Sequence, residues 1–298
     1  MRMDLTGKTP WRYYDTGSSD AYTNMAMDEV LLKKMRRPDA LPILRVYTWS
    51  MPSISVGYFQ NVMDDFDLTL CKERGLPLVR RLTGGRAVFH DHELTYSMIL
   101  PGSYPSLPRG LLDSYRYLSR GLLLGLRELG VEPELAALKD MKEGRRGRAL
   151  KSPNCFASSS WYEMTAGGKK IVGSAQKRTP YGILQEGSIL ISTLRFRAFS
   201  ELFRKRPDRM DSGGYREDEY PMTSLTEILR GDCPVDRVKQ ALLQGFINAY
   251  GIHFQKTRIT REERRSAYEL VDARYGRDSW NLYGKYKLLG EKPEQNRP

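Results

Sequence analysis

Cysteine and histidine are both scarce here, with three of each among 298 residues. Cys71, Cys155 and Cys233 are odd in number and irregular in spacing, which excludes a disulfide framework and points to a reducing cytosol. No Cys-x-x-Cys and no histidine pair at helical spacing occurs, so no metal site is expected. No apolar run approaches the roughly eighteen residues of a membrane span. Residues 1–14 lack the apolar core of a secretory leader, and the chain is expected in the cytoplasm, with no membrane partner. Helix-turn-helix, RNA-recognition and zinc-finger patterns are missing too. What is abundant is positive charge: 48 lysines and arginines against 36 acidic residues, a net +12. Such a balance suits nucleic acid or an acidic protein steered by a positive surface. With no nucleic-acid motif present, the acidic protein is the better reading.

The densest chemistry lies in Arg80-Arg81-Leu82-Thr83-Gly84-Gly85-Arg86-Ala87-Val88-Phe89-His90-Asp91. A strand is expected over 76–82, ending in the paired arginines. In a second strand, Leu94, Tyr96, Met98 and Leu100 alternate with Thr95, Ser97 and Ile99, the period of a half-buried strand. Two adjacent glycines allow positive φ and close approach to the main chain. A plain hairpin turn would account for the glycines alone, but not for arginines and a histidine gathered at the same place. The stretch reads as a site for a carbonyl or phosphate-like group.

Around it, helices are expected over 21–32, 64–74, 111–129, 196–203, 222–229, 235–250 and 261–275. Strands are expected over 11–15, 42–46, 53–60 and 182–190, and a hairpin turns at Ala166-Gly167-Gly168. Helix 111–129 carries a stripe of Leu112, Tyr115, Leu118, Leu122, Leu126 and Leu129 and stops at Gly130; it is core. The basic stretch 139–151 and the charged stretch 207–220 read as surface loops, and the tail 291–298 as disordered. A lone cysteine is usually a small buried hydrophobe, which fits Cys71 and Cys233. Cys155 instead sits in a polar Ser/Pro/Asn segment ahead of Lys170, whose ammonium would favour the nucleophilic thiolate.

The Arg-Arg-x-Thr-Gly-Gly-x-Ala-Val-x-His-Asp pattern resembles the signature of the biotin/lipoate protein ligase and octanoyltransferase superfamily. Farther on, Lys170, Gly173-Ser174-Ala175-Gln176 and Gln185-x-Gly187-Ser188-Ile189 resemble that superfamily's second signature, in the same order. Ligases typically carry a third glycine where this chain has Arg86. The arginine, followed by Glu93-Leu94-Thr95-Tyr96-Ser97, is similar to the LipM-type octanoyltransferases. Those enzymes place their acyl-accepting cysteine in a context like Cys155-Phe156-x-x-x-Ser160-Trp161-Tyr162-Glu163.

The resemblance covers about residues 11–280 and implies an α+β fold, a mixed or antiparallel central sheet flanked by helices. It implies one domain over 1–298, with a catalytic core at 38–253 and a helical extension at 254–298. Cys155 would be the nucleophile and Lys170 the contact to the acyl carbonyl. Arg80, Arg81, Thr83, Gly84, Gly85, Arg86, His90, Gly173, Ser174 and Ala175 would bind substrate. No metal or resident cofactor is implied, since octanoyl arrives on the phosphopantetheine of acyl carrier protein. It would leave on a lysine of a lipoyl domain such as glycine cleavage H protein, and the enzyme would be a monomer. An ATP-dependent lipoate–protein ligase is the alternative, followed by a relay enzyme between lipoyl domains and a nucleic-acid-binding protein. His90 is a candidate base, ranked below a structural role. The group that deprotonates the incoming amine is left open.

Overall fold

The computed structural model describes residues 9–135, 164–193, 202 and 222–284. Cys155, both charged stretches and the C-terminal tail lie outside the described residues, as does all of the helix expected at 196–203 except Leu202. Among the described residues, eleven strands form two sheets. β1 (Thr9–Ser19), β2 (Ile43–Trp49), β6 (Glu93–Pro101), β7 (Glu134–Leu135), β8 (Met164–Ala166), β9 (Lys169–Arg178), β10 (Gly182–Leu190) and β11 (Ile252–Lys256) make the larger one. Its order is β11-β1-β2-β6-β10-β9-β8-β7, with β1 parallel to both neighbours and the other pairs antiparallel. The smaller sheet runs β4 (Leu78–Arg80), β3 (Ser53–Val56), β5 (Val88–His90). This is the mixed-sheet α+β architecture expected.

One face of the large sheet is covered by α4 (Leu111–Glu128) and α6 (Val235–Tyr250). Leu118, Leu122 and Leu126 meet Val238, Leu242 and Phe246 over Leu44, Val46, Tyr96 and Met98. The two helices cross on glycine: a Cβ at Gly245 would fall 2.2 Å from the Gly125 nitrogen. The opposite face is covered by α1 (Ala21–Lys33), while α2 (Val62–Asp65) and α3 (Leu68–Glu73), placed where one helix over 64–74 was expected, pack against the smaller sheet. β6 departs from the half-buried expectation, since all nine of its residues are buried. Its alternation separates two covered faces: Leu94, Tyr96, Met98 and Leu100 enter the α4–α6 core, while Ile99 enters the α1 core.

The expected core spans 38–253. β1 lies inside the large sheet and β11 is its edge strand, so residues on both sides of that core are hydrogen-bonded into it. The C-terminal segment comprises α5 (Leu225–Leu229), α6, α7 (Arg261–Leu270), a π turn (Val271–Tyr275) and α8 (Asp278–Asn281). α7 starts with a capping box between Thr260 and Glu263. Buried Glu29 of α1 pairs with Arg274 and accepts from the Tyr275 hydroxyl at 2.7 Å. These charged partners anchor the segment to the core. No described helix is long and apolar enough to cross a membrane.

Candidate active site

The face of the large sheet beneath α1 carries a band of polar side chains at its centre. Register pairs Arg45 of β2 with Ser97 of β6, and Ser97 with Glu186 of β10, which in turn faces Ala175 of β9. One step along, Tyr47, Thr95, Ser188 and Gly173 form the parallel row. α1 closes one end of the band. Its Asp28 accepts from Arg45 Nη1 at 2.7 Å and from the Tyr47 hydroxyl at 3.0 Å, and its Asn24 accepts from Arg45 Nη2 at 2.9 Å. All of these groups are buried, so each charge sits beside a counter-charge or a hydrogen-bond partner.

The loop between β4 and β5 closes the other end, and Arg81 builds it. Its backbone N–H donates to Val56 O at 3.0 Å. Its guanidinium donates to Thr83 Oγ1 (3.1 Å), Ser55 O (3.1 Å) and Oγ (3.2 Å), and the carbonyls of Gly84 and Arg86 (both 2.7 Å). Arg81 therefore holds the Gly84-Gly85-Arg86 turn from behind. Gly85 has φ +89°, and a Cβ there would stand 3.8 Å from Ala175 Cβ. The two signatures, far apart in sequence, meet at this contact.

β9 delivers Lys170 to the same face through a bulge. The β8–β9 register slips between Met164 and Thr165, and Ile171 and Val172 both enter the α4–α6 core. Two consecutive inward residues reverse the alternation, which puts Lys170 on the face of Gly173 and Ala175. Lys170 is buried, and its carbonyl accepts from Thr223 N at 2.8 Å.

Behind the loop, His90 stacks on Trp49 with ring centroids 3.8 Å apart. Its Nδ1 is 2.7 Å from Glu93 Oε1 and its Nε2 2.7 Å from Ser55 Oγ. Burial pushes the Glu93 carboxyl up, but His90 and the hydroxyls of Thr95 and Ser188 outweigh it and bring the group below the ordinary carboxylate value.

The sequence has close relatives over nearly its whole length. A profile of the lipoyl protein ligase A/B catalytic domain matches residues 20–247. The chain belongs to that family. Octanoyltransferase LipM of Kyrpidia tusciae is 42% identical over 272 residues, covering 91% of this chain and 98% of its own. The LipM octanoyltransferase of Geobacillus kaustophilus is 38% identical, covering 92% and 99%. Among solved structures, the bipartite lipoate protein ligase of Thermoplasma acidophilum, described with its E2 lipoyl domain, superposes with a TM-score of 0.76. That match covers 94% of this chain and 99% of the archaeal one at 24% identity, and it speaks for the fold. Within the lipoyl protein ligase A/B family the chain groups with the octanoyltransferases, which are acyltransferases.

The lipoyl protein ligase A/B fold sorts the expected site residues into two sets. Gly85, flanked by Gly84 and Arg86 in the loop, approaches Ala175 of β9, and Lys170 and Gly173 lie on the same face of that strand as Ala175. Arg81, Thr83 and His90 are buried with their polar atoms turned to the chain itself, so they support the loop from behind. Ser174 points the other way, with its Oγ 2.5 Å from the Tyr96 hydroxyl in the α4–α6 half. Arg80, expected to bind substrate, is turned to the main chain. Its Nη1 donates to the carbonyls of Gly57, Tyr58 and Gln60, all at 2.9 Å. Its Nε reaches Trp280 O at 3.0 Å, and its Nη2 reaches Asn281 O and Leu282 O at 3.2 Å. Every guanidinium nitrogen faces main-chain oxygen, so Arg80 clamps the C-terminal segment onto the β3 loop.

Glu186 is a buried carboxylate on the same sheet face that the two signatures do not include. Burial, and after it the negative charge of Asp28, raises its carboxyl to about 7 against the pull of Arg81, Thr83 and Arg45. A signal was present: Gln185-Glu186-Gly187-Ser188 is a polar run inside an otherwise apolar strand.

Gly57 gives a direct test of how tightly the loop is seated. A Cβ there would fall 1.9 Å from Gly85 O, a backbone contact that no rotamer change relieves, whereas one at Gly84 meets nothing within 4 Å. Gly57→Ala is expected to cost about 1–3 kcal/mol and to slow octanoyl transfer about 100-fold by displacing the loop. Gly84→Ala should leave the melting temperature unchanged. Thermal melts of both variants with transfer rates check this; equal melting temperatures for the two would contradict the packing described.

Proposed function

We propose that this chain moves an octanoyl group from the phosphopantetheine thioester of acyl carrier protein to a lysine of a lipoyl domain, with Cys155 as the acyl-carrying nucleophile. The observation that carries this reading is the 42% identity to an octanoyltransferase over 91% of the chain. The Cys155 thiolate attacks the thioester carbonyl, the pantetheine sulfur leaves and takes a proton, and an acyl-enzyme remains. The acceptor amine then attacks the new thioester, the carbon–sulfur bond breaks, and an amide forms. Lys170 supplies positive charge to the thiolate and to the developing oxyanion, and the Gly84 and Gly85 amides are further donors beside it. The reaction needs no nucleotide and no metal, because the donor thioester is already activated. Glycine cleavage H protein is the acceptor in this reading.

Transfer is expected from octanoyl-acyl carrier protein without ATP, with no ligation of free octanoate or lipoate even with ATP and magnesium. Rates should fall as salt rises, because a chain of net charge +12 gains association rate with an acidic carrier through long-range attraction. An assay on a lipoyl-domain acceptor with both donors, each with and without ATP across a salt series, decides it. ATP-dependent ligation of the free acid with no turnover of the thioester would replace this reading with a ligase.

A further inference from the structure

We propose that the exposed apolar patch around Phe59, on the loop after β3, is the surface on which the acceptor lipoyl domain docks. This rests on the octanoyl-transfer reading above and places the partner of that same site. Six large hydrophobic side chains are exposed among the described residues, and three of them, Phe59 (86%), Met63 (36%) and Tyr283 (55%), rise from segments that Arg80 joins. Arg80 Nη1 donates to the carbonyls of Tyr58 and Gln60 on either side of Phe59, and its Nη2 to the carbonyl of Leu282, next to Tyr283. Met63 follows Gln60 by three residues, in the first turn of α2. One guanidinium thus gathers the three into a single patch, whereas Met51, Leu111 and Tyr268 stand on other segments.

The backbone beneath Phe59 is braced while its ring is left in water. Gln60 N donates to Gly57 O at 3.0 Å, closing a turn across Phe59, and Tyr58 N donates to Thr83 O at 2.9 Å. Gln60 Nε2 reaches Asp65 Oδ2 at 3.1 Å. The Phe59 ring leans edge-on against Tyr58, with centroids 4.8 Å apart. Exposed apolar side chains grouped on one patch mark an interaction surface. An aromatic ring held on a fixed loop loses little freedom on binding, which suits it as the anchor.

Position selects the occupant. Gly57 packs on Gly85 O and Tyr58 bonds to Thr83, so the patch borders the glycine loop directly. On β9, Lys177 lies two residues past Ala175, which meets Gly85, and on the same face. Its Nζ stands 4.8 Å from the centre of the Tyr58 ring. A lysine side chain reaches only about 6 Å from its Cα, so a domain that delivers a lysine must lay its own surface on this rim. A carrier protein works through a much longer pantetheine arm and has no such need. Charge sets the orientation. Lys177 and Arg36, the latter 4.7 Å from the Tyr181 ring centre, have no carboxylate partner among the described residues. Asp64 and Asp65 follow Met63 on the other flank. The patch fits an acceptor domain that sets an apolar residue on Phe59 and a carboxylate toward Lys177.

The test separates the two half-reactions. Wild-type enzyme is octanoylated by octanoyl-acyl carrier protein, desalted, and mixed with increasing apo glycine cleavage H protein in single turnovers. Phe59→Asp should raise the half-saturating acceptor concentration about 30-fold. Its saturated rate, and its acylation by the carrier, should stay within twofold of wild type. Lys177→Glu should raise half-saturation about 10-fold and flatten its dependence on salt. Tyr268→Asp, the same kind of change on α7, should have no effect. In the unmodified enzyme, hydroxyl-radical labelling of Phe59 should fall when apo acceptor is added and not when holo carrier is added, a readout that needs no variant to fold. Unchanged half-saturation in Phe59→Asp, or an unprotected Phe59, overturns the proposal. So does a weakened carrier reaction in place of a weakened acceptor reaction, or a lower saturated rate at unchanged half-saturation, which would make Phe59 a support of the glycine loop. Failure of wild type to acylate at all would instead overturn the octanoyl-transfer reading, and it is seen before any variant is compared.

Discussion

Cys155→Ala is expected to abolish both the octanoyl adduct and the transfer reaction, lowering turnover by about 1,000-fold or more. The other two thiols cannot stand in. Cys71 of α3 is 4% exposed, and burial followed by the nearby Asp67 pushes its thiol up to about 11. At pH 7.5 only about one molecule in three thousand of such a thiol is ionised. Cys233, just ahead of α6, is fully buried and its thiol is likewise raised, chiefly by burial. Neither offers an accessible thiolate, so the loss on removing Cys155 has no route to rescue. Intact mass after incubation with octanoyl-acyl carrier protein should show one hydroxylamine-sensitive octanoyl addition in the wild type and none in the variant. An adduct at wild-type level in Cys155→Ala would move the nucleophile elsewhere. Circular dichroism of the variant should match wild type, which separates lost chemistry from lost fold.

The largest effect on stability should come from Arg80. Arg80→Met keeps much of the side chain's volume but leaves the carbonyls of Gly57, Tyr58, Gln60, Trp280, Asn281 and Leu282 without the donors they share. Arg80 is 2% exposed, so water has little access to replace those donors. Buried polar groups stripped of partners cost about 1–3 kcal/mol each when fully sealed. With some of these oxygens partly exposed, the expected total is about 3–5 kcal/mol, comparable to breaking a buried charged contact. For a chain of this size that lowers the melting temperature by about 6–15 °C. The C-terminal segment should loosen first. Trp280 Nε1 donates to Arg80 O at 2.9 Å and Arg80 N donates to Asn281 Oδ1 at 3.0 Å, and both bonds depend on the clamp for their alignment. Hydrogen exchange across α8 and the π turn should accelerate together in Arg80→Met. A melting temperature within 2 °C of wild type, with protection in α8 intact, would sink the clamp. Arg80→Lys should recover only part of the loss, because three donors on a flexible stem cannot reach both carbonyl groups at once.

Several parts of the molecule were legible in the linear chain. The apolar stripe of Leu118, Leu122 and Leu126 predicts α4, and the similar spacing of Val238, Leu242 and Phe246 predicts α6, since a 3.6-residue period requires only neighbours along the chain. Gly167 and Gly168 mark the β8–β9 turn, and both adopt positive φ (+56° and +75°) there. The two signatures likewise are local patterns, and residues of both, Gly85 and Ala175, approach one another in the fold. What each buried polar side chain does was decided only by tertiary structure. Arg80 reads like a substrate arginine until Trp280 and Asn281, 200 and 201 residues away, are brought against it. Lys170 turns to the site face because of a bulge that no spacing announces. Glu186 is one polar residue of a sheet strand until Thr83, 103 positions distant, caps one oxygen. Period and turn chemistry are written within a few consecutive residues. The role of a buried charge depends on which distant groups replace its water, and only the folded chain chooses those.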